Sequence, residues 1–291
     1  MCGIAGWFDK TNNLNKHQHI IDNMSLSLAN RGPDEDGIFM RKNLCLIHRR
    51  LSIIDIESGK QPMTKAYKGK ICTIVYNGEI YNSPEIMSEL RSKGFSFFGH
   101  SDTEVVLTAY LCWGTKCVEK LNGIFAFAIW DDDEQRLFLA RDRIGVKPLF
   151  YYEYKNGLLF ASEIKTLLKN PIVEPKIDEQ GLYEVFLLGP ARTSGFGVIK
   201  DIKELLPGEC ATYNGKEIRK KKYFTLRAYE HRDNEKQTIE HIRELITDSI
   251  ERQLVSDVPF CTFLSGGLDS SIISYVASNY YRKNKLDTLT T

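Results

Sequence analysis

The chain opens MCGIAGWF (1–8), and the reading of these residues decides the rest. IAGWF is a short apolar run of strand character, so Cys2 stands at the start of a strand, directly behind the initiator methionine. If that methionine is removed, Cys2 carries a free α-amine and a thiol on one residue. The amine titrates at about 7.7–8.0 and the thiol at about 8.5, so near neutrality the amine, directly or through water, is a base that activates sulfur. No histidine is needed. A thiolate attacking a carboxamide forms a tetrahedral oxyanion, then a thioester with loss of ammonia, and water clears the thioester. Glutamine is the natural amide donor for such a site. The competing reading is a packing thiol at a strand start. On the first reading, the glycine at position 3 leaves room for a substrate.

Outward from this stretch, residues 1–224 carry many short apolar or alternating runs: IAGWF, LCLIHRRLSII, ICTIVYN, IFAFAIWD, RLFLARD, PLFYYEY, GLLFAS and ECATYN. These predict sheets. Helices are predicted between them around 16–30, 84–93, 103–113 and 178–188, the third opening on Ser101 and Asp102 as caps. Antiparallel sheet layers with helices outside follow.

The composition shifts at KEIRKKKYFTLRAYEHRDNEKQ (216–237), dense in charge and poor in aliphatic residues, which reads as a linker. Beyond it Ile239, Ile242, Leu245, Ile246, Ile250 and Leu254 recur at helical spacing. The unbroken apolar stretch VPFCTFL (258–264) then suits a strand buried on both faces. SGGLDSS (265–271), a helix over IISYVASNYYRK and the segment LDTLTT complete what reads as the start of a βαβ unit, cut from a longer protein. The expected division is 1–224 and 225–291.

Lys plus Arg number 39 against 38 Asp plus Glu, a net charge of +1, so neither nucleic acid nor a membrane is indicated and a small-molecule partner is expected. The longest apolar runs, GIFAFAIW (123–130) and VFLLGPA (185–191), are too short to span a bilayer. Signal-peptide features and a glycine at position 2 are both lacking, so a cytoplasmic home is expected. Cys2, Cys45, Cys72, Cys112, Cys117, Cys210 and Cys261 are odd in number and irregularly spaced, against both a disulfide framework and a zinc cluster.

A turn of small residues between a buried strand and a helix aims backbone N–H groups and the helix dipole at one point, which suits phosphate. SGGLDSS lacks the P-loop lysine and resembles the pyrophosphate loop of enzymes that adenylate a substrate with ATP. In that reading Gly266 and Gly267 let the backbone approach the phosphates, Ser265, Ser270 and Ser271 add hydroxyl bonds, and Asp269 holds the turn or helps place Mg2+. An ordinary Gly-Gly turn capped by Ser and Asp is the plainer alternative.

MCGIAGWF, RGPDEDG, HRRLSIID, NGEIYN, SDTEVV, GIFAFAIWD, RDRIGVKPLFY and SEIKTL, in this order, resemble the glutaminase domain of glutamine-hydrolysing asparagine synthetases, and SGGLDSS resembles the start of the same family's synthetase domain. The resemblance implies an α+β fold: a four-layer αββα N-terminal-nucleophile hydrolase domain, followed by the beginning of an α/β pyrophosphate-loop domain. It makes Cys2 the nucleophile and Asn77 with Gly78 the oxyanion donors. Arg50 would grip the substrate α-carboxylate, a task suited to a planar guanidinium. Leu51, Ser52, Ile53 and Ile54 would line the same pocket, while Glu79 and Asp102 would hold the substrate ammonium. Leu264 matches a position contacting the nucleotide. From the residues alone, Arg50 also reads as a surface ion-pair partner, Asn77-Gly78 as a hairpin turn and Asp102 as a helix cap. RGPDEDG resembles the family's loop near the glutamine site, its turn residues by themselves showing only a loop, and Arg141, Asp142 and Glu163 receive no catalytic part.

The resemblance further implies that ammonia passes inside the protein from Cys2 to an aspartate activated as its AMP ester, with glutamine, aspartate and ATP as substrates, ATP and Mg2+ serving the second half alone, and a homodimer as one open assembly. Two rivals remain open: a related amidotransferase or cyclase acting on another carboxylate, and a non-catalytic glutamine-sensing module.

Overall fold

Successive side chains of a strand point to opposite faces, and in this chain both faces are apolar. The computed structural model describes residues 1–286 and 289–291 and divides into two compact units, Met1–Thr225 and Leu226–Thr291. The strands of the first unit are β1 (Gly3–Asp9), β2 (Glu35–Met40), β3 (Leu44–Arg50), β4 (Met63–Tyr67), β5 (Lys70–Ile80), β6 (Gly123–Asp131), β7 (Arg136–Arg141), β8 (Phe150–Tyr154), β9 (Gly157–Ala161), β10 (Ile202–Glu204), β11 (Glu209–Tyr213) and β12 (Ile218–Lys222). Its helices are α1 (Gln18–Ser27), α2 (Ser83–Ser92), α3 (Asp102–Trp113), α4 (Ile164–Leu167) and α5 (Glu179–Leu187); all but the short α4 lie close to predicted spans. The strands form two six-stranded antiparallel sheets, ordered β10-β8-β9-β1-β3-β2 and β12-β11-β7-β6-β5-β4.

Alternation sorts the core into three layers. On β6, Ala126, Ala128 and Trp130 face the other sheet and meet Ile4, Phe8, Leu44, Leu46 and Phe160. Phe125, Phe127 and Ile129 of the same strand face away and pack with Ile86, Leu90, Val105, Val106 and Tyr110 of α2 and α3. On β1 and β3, Ala5, Trp7, Cys45 and Ile47 face α1, meeting Ile21 and Met24. The result is helix, sheet, sheet, helix. Burying each large side chain contributes about 1.5–3 kcal/mol, so no single residue carries the sandwich.

Two readings of the sequence are corrected here. Residues 218–222 of the expected linker form β12, paired with β11; an edge strand needs backbone partners on one side only, and Arg219, Lys220, Lys221 and Lys222 keep its free edge charged. VPFCTFL is no buried strand: Phe263 is 92% exposed, and the segment makes one parallel bridge, Cys261 with Thr290. A strand buried on both faces needs neighbours that the described residues do not provide. Within LDTLTT, residues 287 and 288 lie outside the described residues.

In the second unit, α6 (Glu235–Arg252) and α7 (Leu268–Lys283) form as the spacing predicts. Asn234 and Gln237 cap α6 reciprocally. Ile239, Ile242 and Leu245 lie at least half exposed on it. No helix among the described residues is long and apolar enough to cross a membrane.

The sheets of the first unit are also joined by a polar bond. His48 on β3, 1% exposed, lies 3.1 Å from the Tyr76 carbonyl oxygen on β5. A carbonyl only accepts, so Nε2 carries the hydrogen and donates. Burial, with Arg50 nearby, pushes the His48 imidazole down to about 3. The unfolded chain therefore takes up a proton near about pH 6.5 that the folded chain refuses until far lower, and stability falls as pH drops through that interval. Melting temperatures measured from pH 7 to pH 4 should fall less steeply for His48→Gln, which keeps a donor and does not titrate, than for the wild type.

Candidate active site

Antiparallel register sets the site. Gly3 pairs with Arg49, so Cys2, one residue before β1, lies across from the end of β3. Its Sγ is 3.4 Å from the Leu51 amide nitrogen, which donates to it, and the thiol donates to the Leu51 carbonyl at 3.6 Å. Burial pushes the Cys2 thiol up. The Cys2 carbonyl accepts from Arg31 Nε at 2.9 Å. Arg31 belongs to RGPDEDG, whose glycine and proline signalled only a loop, and it anchors the backbone of the candidate nucleophile. A Cβ at Gly3 would come 3.0 Å from Leu28 Cβ, so this glycine admits the end of α1.

One pocket collects Met1, Cys2, Arg50, Leu51, Ile53, Ile54, Asn77, Gly78, Glu79, Asp102 and Lys147, among others. Of the residues expected around the substrate, Ser52 alone is missing from this wall; its amide donates to Asp34 Oδ2 at 2.8 Å, tying the loop after β3 to RGPDEDG. Asn77 and Gly78 form no hairpin turn. They lie inside β5, opposite Ala126 and Phe125 of β6, and a Cβ at Gly78 would come 2.3 Å from the Ile124 carbonyl oxygen. Asn77 is 2% exposed and its Nδ2 has no hydrogen-bond partner among the described residues. Leaving such a donor unsatisfied costs about 1–3 kcal/mol.

Arg50 is 4% exposed and already engaged. Nη1 donates to Glu35 and the Ile56 carbonyl, and Nη2 to the carbonyls of Ile54 and Asp55. Its guanidinium shapes the loop that walls the pocket, and it is neither a surface ion-pair partner nor free to grip a carboxylate with all its donors. Asp55 extends this brace: its Oδ2 accepts from the amides of His100 and Ser101 at 2.9 and 3.0 Å. Burial alone would raise its carboxyl, but the amide bonds from Ser58, His100 and Ser101 outweigh it and hold the group below its ordinary value. Asp55 was legible only as the last letter of HRRLSIID.

Ser101 accepts from the Thr103 amide and caps α3, leaving Asp102 in the first turn. Asp102 Oδ2 accepts from the Tyr76 hydroxyl at 2.6 Å and the Ile80 amide at 3.2 Å. Burial raises its carboxyl to about 6, with Glu79 adding like-charge repulsion. Burial likewise raises Glu79. Two carboxylates thus share a desolvated wall, and a cationic group between them would relieve both.

Arg141 and Asp142, set aside on sequence, build the turn that delivers Lys147. Asp142 accepts from the amides of Ile144, Gly145, Val146 and Lys147. Arg141 donates to the carbonyls of Gly145, Lys147 and Leu205. Glu163 lies 3.6 Å from Arg31 Nη1. In the second unit, Gly267 caps α7, the Ser265 and Ser270 hydroxyls are 3.0 Å apart, and Ser271 Oγ donates to the Gly267 carbonyl at 2.8 Å. Gly266 has φ +85° and no atom near where a Cβ would stand, an open cradle; Leu264 is half exposed, and Asp269 lies in the first helical turn. Among the described residues no group of three His, Cys, Asp or Glu is placed to hold a metal ion.

Asp102 and Glu79 line the same pocket as the Asn77 amide and the Cys2 thiol, and Asp102→Asn should remove the cost of enclosing a charge there. Between pH 3.8 and about 6 the folded protein binds more protons here than the unfolded chain, so the wild type loses stability as pH rises through that window. Urea unfolding should show Asp102→Asn more stable than wild type at pH 7 by on the order of 2 kcal/mol, and level with it below pH 4.

Comparison with known proteins places the fold and the family of the first unit. A solved glutamine phosphoribosylpyrophosphate amidotransferase from Bacillus subtilis shares the fold with a TM-score of 0.54 at 16% identity, over 77% of this chain and 50% of that one. Asparagine synthetase [glutamine-hydrolyzing] 3 of Bacillus subtilis is 45% identical over 97% of this chain and 46% of its own length. Amidase chry2 of Gibberella zeae is 32% identical over 97% of this chain and 44% of its own. The chain spans about half the length of these curated relatives. The asparagine synthase model matches residues 241–291. The glutamine amidotransferase domain model matches residues 1–224, and the chain belongs to that family.

Proposed function

We propose that the first unit hydrolyses glutamine to glutamate and ammonia at Cys2, and that the second begins a domain in which ammonia amidates an adenylated aspartate. One observation carries the first half: the buried, unpartnered Asn77 Nδ2 lines the same pocket as the Cys2 thiol. An oxyanion formed by attack of sulfur on a carboxamide supplies the acceptor that this amide lacks, so the bond strengthens as the transition state is approached.

Removal of Met1 exposes the Cys2 amine, which takes the thiol proton. Sulfur attacks the glutamine side-chain carbonyl, and Asn77 Nδ2 with the Gly78 amide stabilises the oxyanion. The amine's proton passes to the departing ammonia, and water opens the thioester. Glu79 and Asp102 receive the substrate ammonium, which returns their carboxyls toward ordinary values. The α-carboxylate meets the Arg50 charge and the amides of the 51–54 loop; a bidentate grip by Arg50 requires its bonds to the Ile54 and Asp55 carbonyls to open. In the second unit Leu264, Ser265, Gly266, Gly267, Asp269 and Ser270 form the open loop at the start of α7 that would cradle ATP phosphates, with Mg2+ carried chiefly by the nucleotide. All seven cysteines are free, in keeping with a reducing cytoplasmic setting.

The similarity to an amidase keeps a second acceptor class in view, since an adenylated carboxylate other than aspartate suits the same two half-reactions. AMP release with glutamine, ATP and a panel of carboxylic acids separates the two.

The first half is tested on protein whose N-terminus is shown by mass spectrometry to begin at Cys2. Glutamate release should be abolished by Cys2→Ala and reduced roughly 100- to 1,000-fold in kcat by Asn77→Ala, with KM little changed. Undiminished turnover in either variant rejects the assignment.

A further inference from the structure

Lys147 is a buried cation that feels the charges of Glu79 and Asp142 but touches neither carboxylate. It is 7% exposed, it lines the Cys2 pocket, and its Nζ has as partner the Met1 sulfur at 3.3 Å, a weak and uncharged acceptor. Among the described residues no carboxylate forms an ion pair with it. Its place is not accidental flexibility: the backbone is clamped on both sides, the amide on Asp142 Oδ2 at 2.9 Å and the carbonyl on Arg141 Nε at 2.8 Å. A lysine held so firmly, at a cost in desolvation, loses with Met1 the one hydrogen-bond acceptor that its Nζ has among the described residues, and keeps only the longer-range attraction of Glu79 and Asp142.

We propose that Lys147 is a positioning residue for the nucleophile, a fixed positive charge that eases loss of a proton from the processed Cys2 residue. Resting on the Cys2 reading above, this adds the group that tunes it. Thiol and amine on one residue titrate as a coupled pair, so their apparent values belong to the pair. A neighbouring cation favours loss of the proton whichever atom surrenders it: it stabilises a thiolate and destabilises an ammonium. Other charges face the same point. Arg31 from the loop after α1 and Arg50 from β3 act in the same direction as Lys147; Asp34, Glu79 on β5 and Asp102 on α3 oppose it. Asp142 is turned to the Lys147 backbone. In the present chain the terminal amine, crowded by burial and by Arg31 and Lys147, is already held below its ordinary value.

The experiment uses Cys2-terminated protein and two readouts: the pH dependence of kcat/KM for glutamine, and the pH dependence of Cys2 alkylation by iodoacetamide, resolved from the other cysteines by peptide mass spectrometry. In Lys147→Met the acid limb of both profiles should move up by about one pH unit, a roughly tenfold deficit on the acid side that narrows as pH rises. Lys147→Arg should return the limb to the wild-type position, and Lys147→Gln serves if the methionine variant does not fold. An alkylation limb that stays in place in a folded, neutral variant, or an equal loss at every pH, overturns the proposal. Absence of glutamine turnover in the wild type with a shifted alkylation limb would instead remove the hydrolase reading and leave the Lys147 assignment standing.

Discussion

The antiparallel pairing of β1 with β3 is the constraint on which the site depends. With Gly3 opposite Arg49, Cys2 falls beside Leu51 at the point where β3 gives way to the loop that walls the pocket. A register shift of one residue would turn every β1 side chain over, exchanging Trp7 and Ala5 on the helix side with Ile4 and Phe8 between the sheets. The core therefore guards the position of Cys2: the same alternation that fills two apolar layers fixes where the thiol points. Arg31, bonded to the Cys2 carbonyl, completes the hold from outside the sheet.

Much of this was legible in the sequence because it rests on periodicity. The apolar runs name eight of the twelve strands and the spacing over 103–113 names α3, while β2, β4, β10 and β12 lie outside those runs, β2 starting within RGPDEDG, whose turn residues signalled only a loop. What escaped rests on contacts between distant segments. Arg141 and Asp142 look like charged residues after a strand, and only the fold shows five- and six-residue return bonds that deliver Lys147. The Asn77-Gly78 pair carries a strong local turn signal, yet pairing with β6 continues through it, because long-range strand pairing outweighs a dipeptide preference. VPFCTFL shows the converse. Its composition demands a sheet, and the described residues supply it with one parallel bridge.

The pocket also shows why its charges are costly. Asp102, Glu79 and Lys147 are all partly desolvated, and each is displaced toward its neutral form by burial. Stability alone would select neutral residues at these places. On the proposed reading a zwitterionic amino acid would change the balance, its ammonium meeting the two carboxylates and its carboxylate the Arg50 side. The cost of burying these charges would then return as affinity when the substrate supplies their partners.

Substrates would then be separated by what they leave unpaired. A glutamine residue within a peptide has lost both charged ends, so it would enter the pocket with neither the ammonium for Asp102 and Glu79 nor the carboxylate for the Arg50 wall. The buried carboxylates would stay repelling one another, and the unmet polar groups would weigh against binding even though the reacting carboxamide is the same. Discrimination of this kind, set by buried groups that only the correct ligand satisfies, is far steeper than shape alone gives. On the proposed reading, the same charges that make the unliganded fold less stable confine the Cys2 chemistry to a free amino acid.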